Sequence, residues 1–351
     1  MDIVTTIVLF VPILLVLWLA NLSHRRRIEG DVKNERTLKM LSYGLLFLLY
    51  ATLMLFGLLL LAAGAAVTLM PDTLDAAPTM GFQPDRLPWM GAALLIPALV
   101  GLVLLTRPAR RFFARLTPID PTHPVHAIAL SLSGLVLINL FFTVAVGLEN
   151  LADALQQSTQ GQPVSSPAPG LWAQAVMLIL MGLIGVGWLS RRSFSASLNR
   201  LGIVFPTIPQ AVIGLVAGIG MVPLVILAEA LASQLGLGAS EGVERLTEQL
   251  IGPLTLSIPG ILTLGLAAAL GEETVFRGAL QPRFGLVLTT LLFALLHSQY
   301  GFSFSTIAVF VVGLVLGVIR IRANTTTAMI THAVYNMSLG LISYLGILRE
   351  M

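Results

Sequence analysis

Cysteine is missing from all 351 residues, and charged residues make up only 11% of them. The first absence excludes disulfides, thiol nucleophiles and thiolate metal ligands. The second excludes an ordinary soluble domain, where about a quarter of the residues carry charge. There is no HExxH sequence, so the zinc-protease arrangement built on one helix has no counterpart. No P-loop occurs either, which leaves ATP-driven transport by this chain alone without support. Every aspartate falls in an expected loop or near a terminus, and an intramembrane aspartyl pair is excluded with it.

What remains is apolar. Hydrophobic residues make up 56% of the chain and the mean hydropathy is +0.90. They recur in continuous runs of about 18–25 residues, the length of a helix that crosses a bilayer, without the shorter alternating pattern of a barrel strand. The expected class is therefore all-α: a polytopic transmembrane helical bundle in a cell membrane. About ten spans are expected, near 3–20, 40–70, 89–106, 125–148, 171–190, 209–235, 255–282, 285–300, 303–319 and 326–348. The first run lacks a basic leader and is followed directly by "HRRR", as in a retained anchor with its N-terminus outside.

The pI of 9.6 does not point to nucleic acid, because the basic residues are not gathered in one patch. All but Arg86, Arg245 and Arg349 of the 20 Lys+Arg lie on alternate connections. The opposite connections carry Asp72, Asp75, Asp85, Glu149, Asp153, Glu241, Glu244 and Glu248. Such a bias places the basic connections in the cytoplasm. Two Pro-, Gly- and Ser-rich stretches, "PDTLDAAPTMGFQPDRLP" and "ENLADALQQSTQGQPVSSPAPG", read as flexible external segments. No internal repeat is visible. The connection "RRSFSASLNRLGIVFPTIP" divides residues 1–200, an accessory region of about five spans, from residues 201–351, which hold the chemistry.

An ionisable side chain within a span costs a few kcal/mol on insertion scales and is a functional candidate by default. The spans contain Glu229, Glu272, Glu273, Arg277, His297, His332 and the polar Asn336. Glu273 and Arg277 are four apart and share a helix face, whereas Glu272 points about 100° away. His332 and Asn336 are also four apart, as are Phe293 and His297, which sets a ring over the imidazole. At 1.5 Å per residue, Glu272, His297 and His332 lie roughly 15, 20 and 10 Å from the basic side, so three helices can bring them to one pocket. Glu229 receives no role. His123 and His126, in "PTHPVH", read as an interfacial turn and not as a metal site, and His24 belongs to the basic juxtamembrane run.

"EETVFR", "FALLH" and "HAVYN" resemble the ordered motifs EExxxR, FxxxH and HxxxN of the CPBP family of intramembrane endopeptidases, also called the Abi or CAAX-protease family. The likeness covers about residues 255–340. It implies a protease domain in which Glu272 activates a water and Glu273 pairs with Arg277. Beside Glu272, His297 becomes a second holder of that water, and His332 with Asn336 suits an oxyanion hole. The short connection "GALQPRFGLVLTTLL" between the first two motifs departs from the pattern and predicts a tilted or abbreviated eighth helix. Both metal-dependent and metal-free mechanisms have been described for the family. Glu272, His297 and His332 are a possible Zn²⁺ set, but the asparagine and the Glu–Arg pair suit a metal-free mechanism, which is the expectation. The substrate would be a membrane-associated peptide or protein entering from the cytoplasmic side. An ion- or proton-coupled carrier and a non-catalytic membrane scaffold remain the alternatives; a carrier would show paired halves, whereas here the polar residues cluster in one.

Overall fold

In lipid a spanning backbone has to satisfy its own polar groups, so long apolar runs fold as helices. A computed structural model of the protein describes residues 3–69, 83–159 and 166–346, and no strand occurs among them. The first part comprises α1 (Ile3–Ile28), α2 (Val32–Leu69), α3 (Leu87–Leu104), α4 (Arg107–Leu116), α5 (Pro124–Val146), α6 (Leu148–Thr159) and α7 (Ala168–Val186). The second comprises α8 (Phe194–Leu201), α9 (Ile208–Gln234), α10 (Glu241–Thr255), α11 (Ile258–Glu273), α12 (Gln281–Leu296), α13 (Phe304–Arg322) and α14 (Thr325–Tyr344). Between α11 and α12, Thr274–Leu280 forms a π-helical turn. The chain is a multi-pass membrane protein.

Eight segments among the described residues are long and apolar enough to cross a bilayer. Two features separate that number from the ten expected. Ile258–Leu296 counts as one apolar stretch although Gly285, with φ 74° and ψ 173°, breaks its helical path. The polar residues of α14, with Thr325–Thr327 in its first turn and His332 and Asn336 further along, keep it out of the eight. Past the Gly285 break, α12 continues only to Leu296, and His297 is already non-helical. The eighth expected span is thus abbreviated.

Four shorter helices, α4, α6, α8 and α10, were not legible as spans. The stretch expected to be a flexible external segment around 149–170 begins instead with α6. Leu148, Leu151, Ala152 and Leu155 recur there at helical spacing, and α6 packs on α10. Asp153 of α6 pairs with Arg245 of α10. The rest of that segment at 160–165, and most of the other one at 70–82, lie outside the described residues.

The basic connections meet at one end of the bundle. Arg25 donates to the Ser190 carbonyl at 3.0 Å, Arg27 to Thr122 at 3.5 Å, and the Thr325 amide to Gly202 at 3.0 Å. Helix–helix contacts away from that end use small residues, as close packing in lipid requires. A Cβ on Gly218 of α9 would lie 2.7 Å from the Thr331 carbonyl of α14, and one on Gly265 of α11 would lie 2.8 Å from that of Ala333. Helix α14 is therefore clasped between α9 and α11. Helix α7 packs on both α1 and α11, and its Trp172 donates to Thr263 at 3.2 Å.

Candidate active site

The π-helical turn is where the backbone gives up its regular ladder, and such turns are frequent at functional sites. The Gln281 amide reaches back five residues to the Phe276 carbonyl. Pro282 has no N–H to continue that register, which would leave the Arg277 carbonyl unmet inside the bundle. The Arg320 guanidinium from α13 donates to it at 3.3 Å. The turn is thereby locked to the neighbouring helix, and with it the two glutamates just upstream.

Glu273 and Arg277 are both fully buried, with Arg277 Nε 3.3 Å from Glu273 Oε2. The two atoms are in ion-pair range but not aligned as a hydrogen bond. Arg277 Nη2 instead donates to the Gly313 carbonyl at 3.1 Å, and the guanidinium carbon sits 4.4 Å from the centre of the Phe293 ring. The other Glu273 oxygen accepts from His332 Nδ1 at 2.9 Å. Glu273 is therefore committed on both sides. Glu272 is only half-buried, and its Oε2 is enclosed with no hydrogen-bond partner.

The histidines are oriented by groups that can only accept. His297 Nδ1 lies 2.9 Å from the Phe293 carbonyl, so that nitrogen carries a proton and, in the neutral ring, Nε2 is the one with the lone pair. His332 Nδ1 likewise faces a carboxylate, which leaves Nε2 as a lone pair in the neutral ring and an N–H donor in the charged one. Phe293, 2% exposed, separates the two imidazoles, with its centre 4.9 Å from His297 and 6.1 Å from His332. Asn336, one turn beyond His332, is half-buried.

One further side chain, Tyr300, links His297 to Glu272. The Tyr300 ring stacks on His297 with 6.3 Å between centres, and it lies within electrostatic range of both Glu272 and Glu229. Glu272 is also in range of Arg277 and His332. Tyr300 was missed from the sequence because a tyrosine near a helix end carries no formal charge to mark it. Glu229, which had no assigned role, is half-buried near Tyr300 and Tyr335 on the same side of the cluster.

Among the described residues, no three His, Cys, Asp or Glu side chains come close enough together to hold one metal ion. The zinc set of Glu272, His297 and His332 is not assembled in this arrangement, and neither is one around His24, His123 and His126.

Residues 254–338 match the family model described as Rce1-like, type II CAAX prenyl endopeptidase Rce1-like. That span contains all three sequence motifs and agrees with the likeness read from them. No curated protein and no solved structure matches the chain.

Proposed function

We propose that this protein is an intramembrane endopeptidase of the cell membrane that hydrolyses peptide bonds of membrane-associated substrates, with the Rce1-like segment as its catalytic part. The observation that carries this reading is the unequal fate of two adjacent glutamates. Glu273 is spent on Arg277 and His332, while Glu272 keeps a buried oxygen without a hydrogen-bond partner, within electrostatic range of His332 and of Tyr300, the ring that stacks on His297. A carboxylate oxygen with no hydrogen-bond partner is free to take a proton from a water, which is the task of a general base.

In this reading the Glu272 carboxylate takes one proton from a water, and His297 Nε2 accepts a hydrogen bond from the other. The water oxygen attacks the scissile carbonyl carbon, and the electron pair of that carbonyl moves onto its oxygen. Asn336 Nδ2 and the Nε2–H of charged His332 donate to the oxyanion, with the Glu273 carboxylate balancing the imidazolium. As the oxyanion collapses, the C–N bond breaks and Glu272 returns its proton to the leaving amine. Glu273 and Arg277 position the helix and the His332 ring without touching the reacting atoms. No step uses a metal ion. Substrate enters from the cytoplasmic side, where the basic connections gather, and residues 1–200 serve as an accessory region that buttresses the catalytic helices.

The test is cleavage of a membrane-tethered peptide by the purified full chain in lipid. Glu272→Gln keeps the side-chain volume and removes the base, so cleavage should be abolished while insertion and thermal stability stay unchanged. Near wild-type turnover in that variant would refute the assignment.

A further inference from the structure

A cavity of about 510 Å³ lies between the first helices and the catalytic ones, lined by none of Glu272, Glu273, His297 or His332. Its volume falls in the range of small-molecule sites, about 300–1,000 Å³. The body is apolar, with walls from Ile13 of α1, Leu132 and Val136 of α5, Leu178 of α7 and Phe276 of the π turn. Along α5 the lining runs from Val125 to Val136, which at 1.5 Å per residue is roughly 16 Å. That is about half of a bilayer core some 30 Å thick, the depth of one leaflet.

The mouth has the opposite character. Arg191, Arg192, Arg200 and Arg283 line it, and among the described residues none of the four forms an ion pair. Arg191 donates to Asn21, Arg192 to the Val186 carbonyl and Arg200 to the Gly278 carbonyl, all neutral acceptors. Asp120 is the one acid there among the described residues, and its Oδ1 is already taken by the Thr122 amide and hydroxyl, each at 2.8 Å. Burial and the repulsion of the neighbouring arginines push Arg191 and Arg200 down to about 10. Beside them the His123 ring stacks on His126 and meets the tilted ring of His24. Burial, then the adjacent rings and Arg191, push His123 down to about 2, so it is neutral at physiological pH and adds no cation.

We propose that this cavity binds an anionic amphiphile, its hydrocarbon chain among Ile13, Leu132, Val136, Leu178 and Phe276 and its phosphate headgroup against Arg191, Arg192, Arg200 and Arg283. An entirely apolar occupant would leave four guanidinium groups facing one another without an anion, and a free anion would leave the apolar walls uncovered. Basic pockets between transmembrane helices hold lipid phosphates by the same combination, and guanidinium groups match phosphate oxygens with paired donors. The occupant would bridge the accessory helices and the π turn next to Glu272.

The experiment uses the delipidated full chain in neutral detergent, with lysophosphatidic acid, lysophosphatidylcholine of the same chain length, and inorganic phosphate as probes. Native mass spectrometry and calorimetric titration should show one lysophosphatidic acid per chain, held well above the choline lipid and not displaced by equimolar inorganic phosphate. Arg283, exposed and, among the described residues, without a hydrogen bond, can be changed without disturbing packing, so Arg283→Gln should weaken binding about fivefold, and Arg200→Gln in addition by about as much again. Ala129→Phe, which fills the apolar body, should abolish lipid binding, and unaltered thermal transitions would verify folding. Equal binding of the two lipids, displacement by phosphate alone, no binding, or binding untouched by both Arg283→Gln and Ala129→Phe would each overturn the proposal.

Discussion

Replacing Arg277 by methionine would remove the cation from a fully buried cluster and leave Glu273 facing apolar surroundings. Breaking a buried pair by removing one partner costs about 3–5 kcal/mol, because the remaining charge has lost its compensation. The lost hydrogen bond to the Gly313 carbonyl and the lost stacking on Phe293 add to that, while His332, still 2.9 Å from Glu273, relieves part of it. About 4 kcal/mol is therefore expected, a large share of a stability of roughly 5–15 kcal/mol. Glu273→Gln should cost less, since Arg277 keeps the Gly313 carbonyl and the Phe293 face. The double variant leaves neither charge stranded and should be at least about 2 kcal/mol more stable than the sum of the singles, within the range of interaction energies for contacting residues. Equilibrium unfolding in mixed micelles, followed by tryptophan fluorescence, measures all four species. Single-variant costs that add within about 0.5 kcal/mol would refute the coupling and with it the view that Glu273 is occupied by Arg277.

Two further outcomes follow from the same geometry. Asn336→Ala should lower turnover on the order of a hundredfold or more with substrate binding little changed, the size of a lost oxyanion donor; a rate within a few-fold of wild type would remove Asn336 from the mechanism. Gly285→Ala places a side chain at φ 74°, ψ 173°, a conformation open essentially to glycine alone, and should cost about 1–3 kcal/mol in the same unfolding assay although nothing lies within 4 Å of the added carbon.

Composition and spacing alone determined the helical membrane class, the grouping of the basic connections, and the residues worth watching, because the bilayer penalises every charge that lacks a purpose. The i, i+4 spacing put Glu273 and Arg277 on one helix face, and the three ordered motifs pointed to the family whose model matches residues 254–338. Hydropathy could not register α6 and α10, whose helical faces are apolar only on one side and stabilised by each other. The division of the 255–300 stretch into two spans agrees with the break at Gly285, but the backbone angle that makes it is visible only in the structure. The partnership of His332 with Glu273 spans 59 residues, and the stacking of Tyr300 on His297 depends on where α12 happens to end. Four arginines from three separate segments form one mouth only because the helices between them pack as they do. Local periodicity fixes which way a side chain leaves its own helix; what it meets there is set by close packing against helices distant in sequence, and only the tertiary structure decides that.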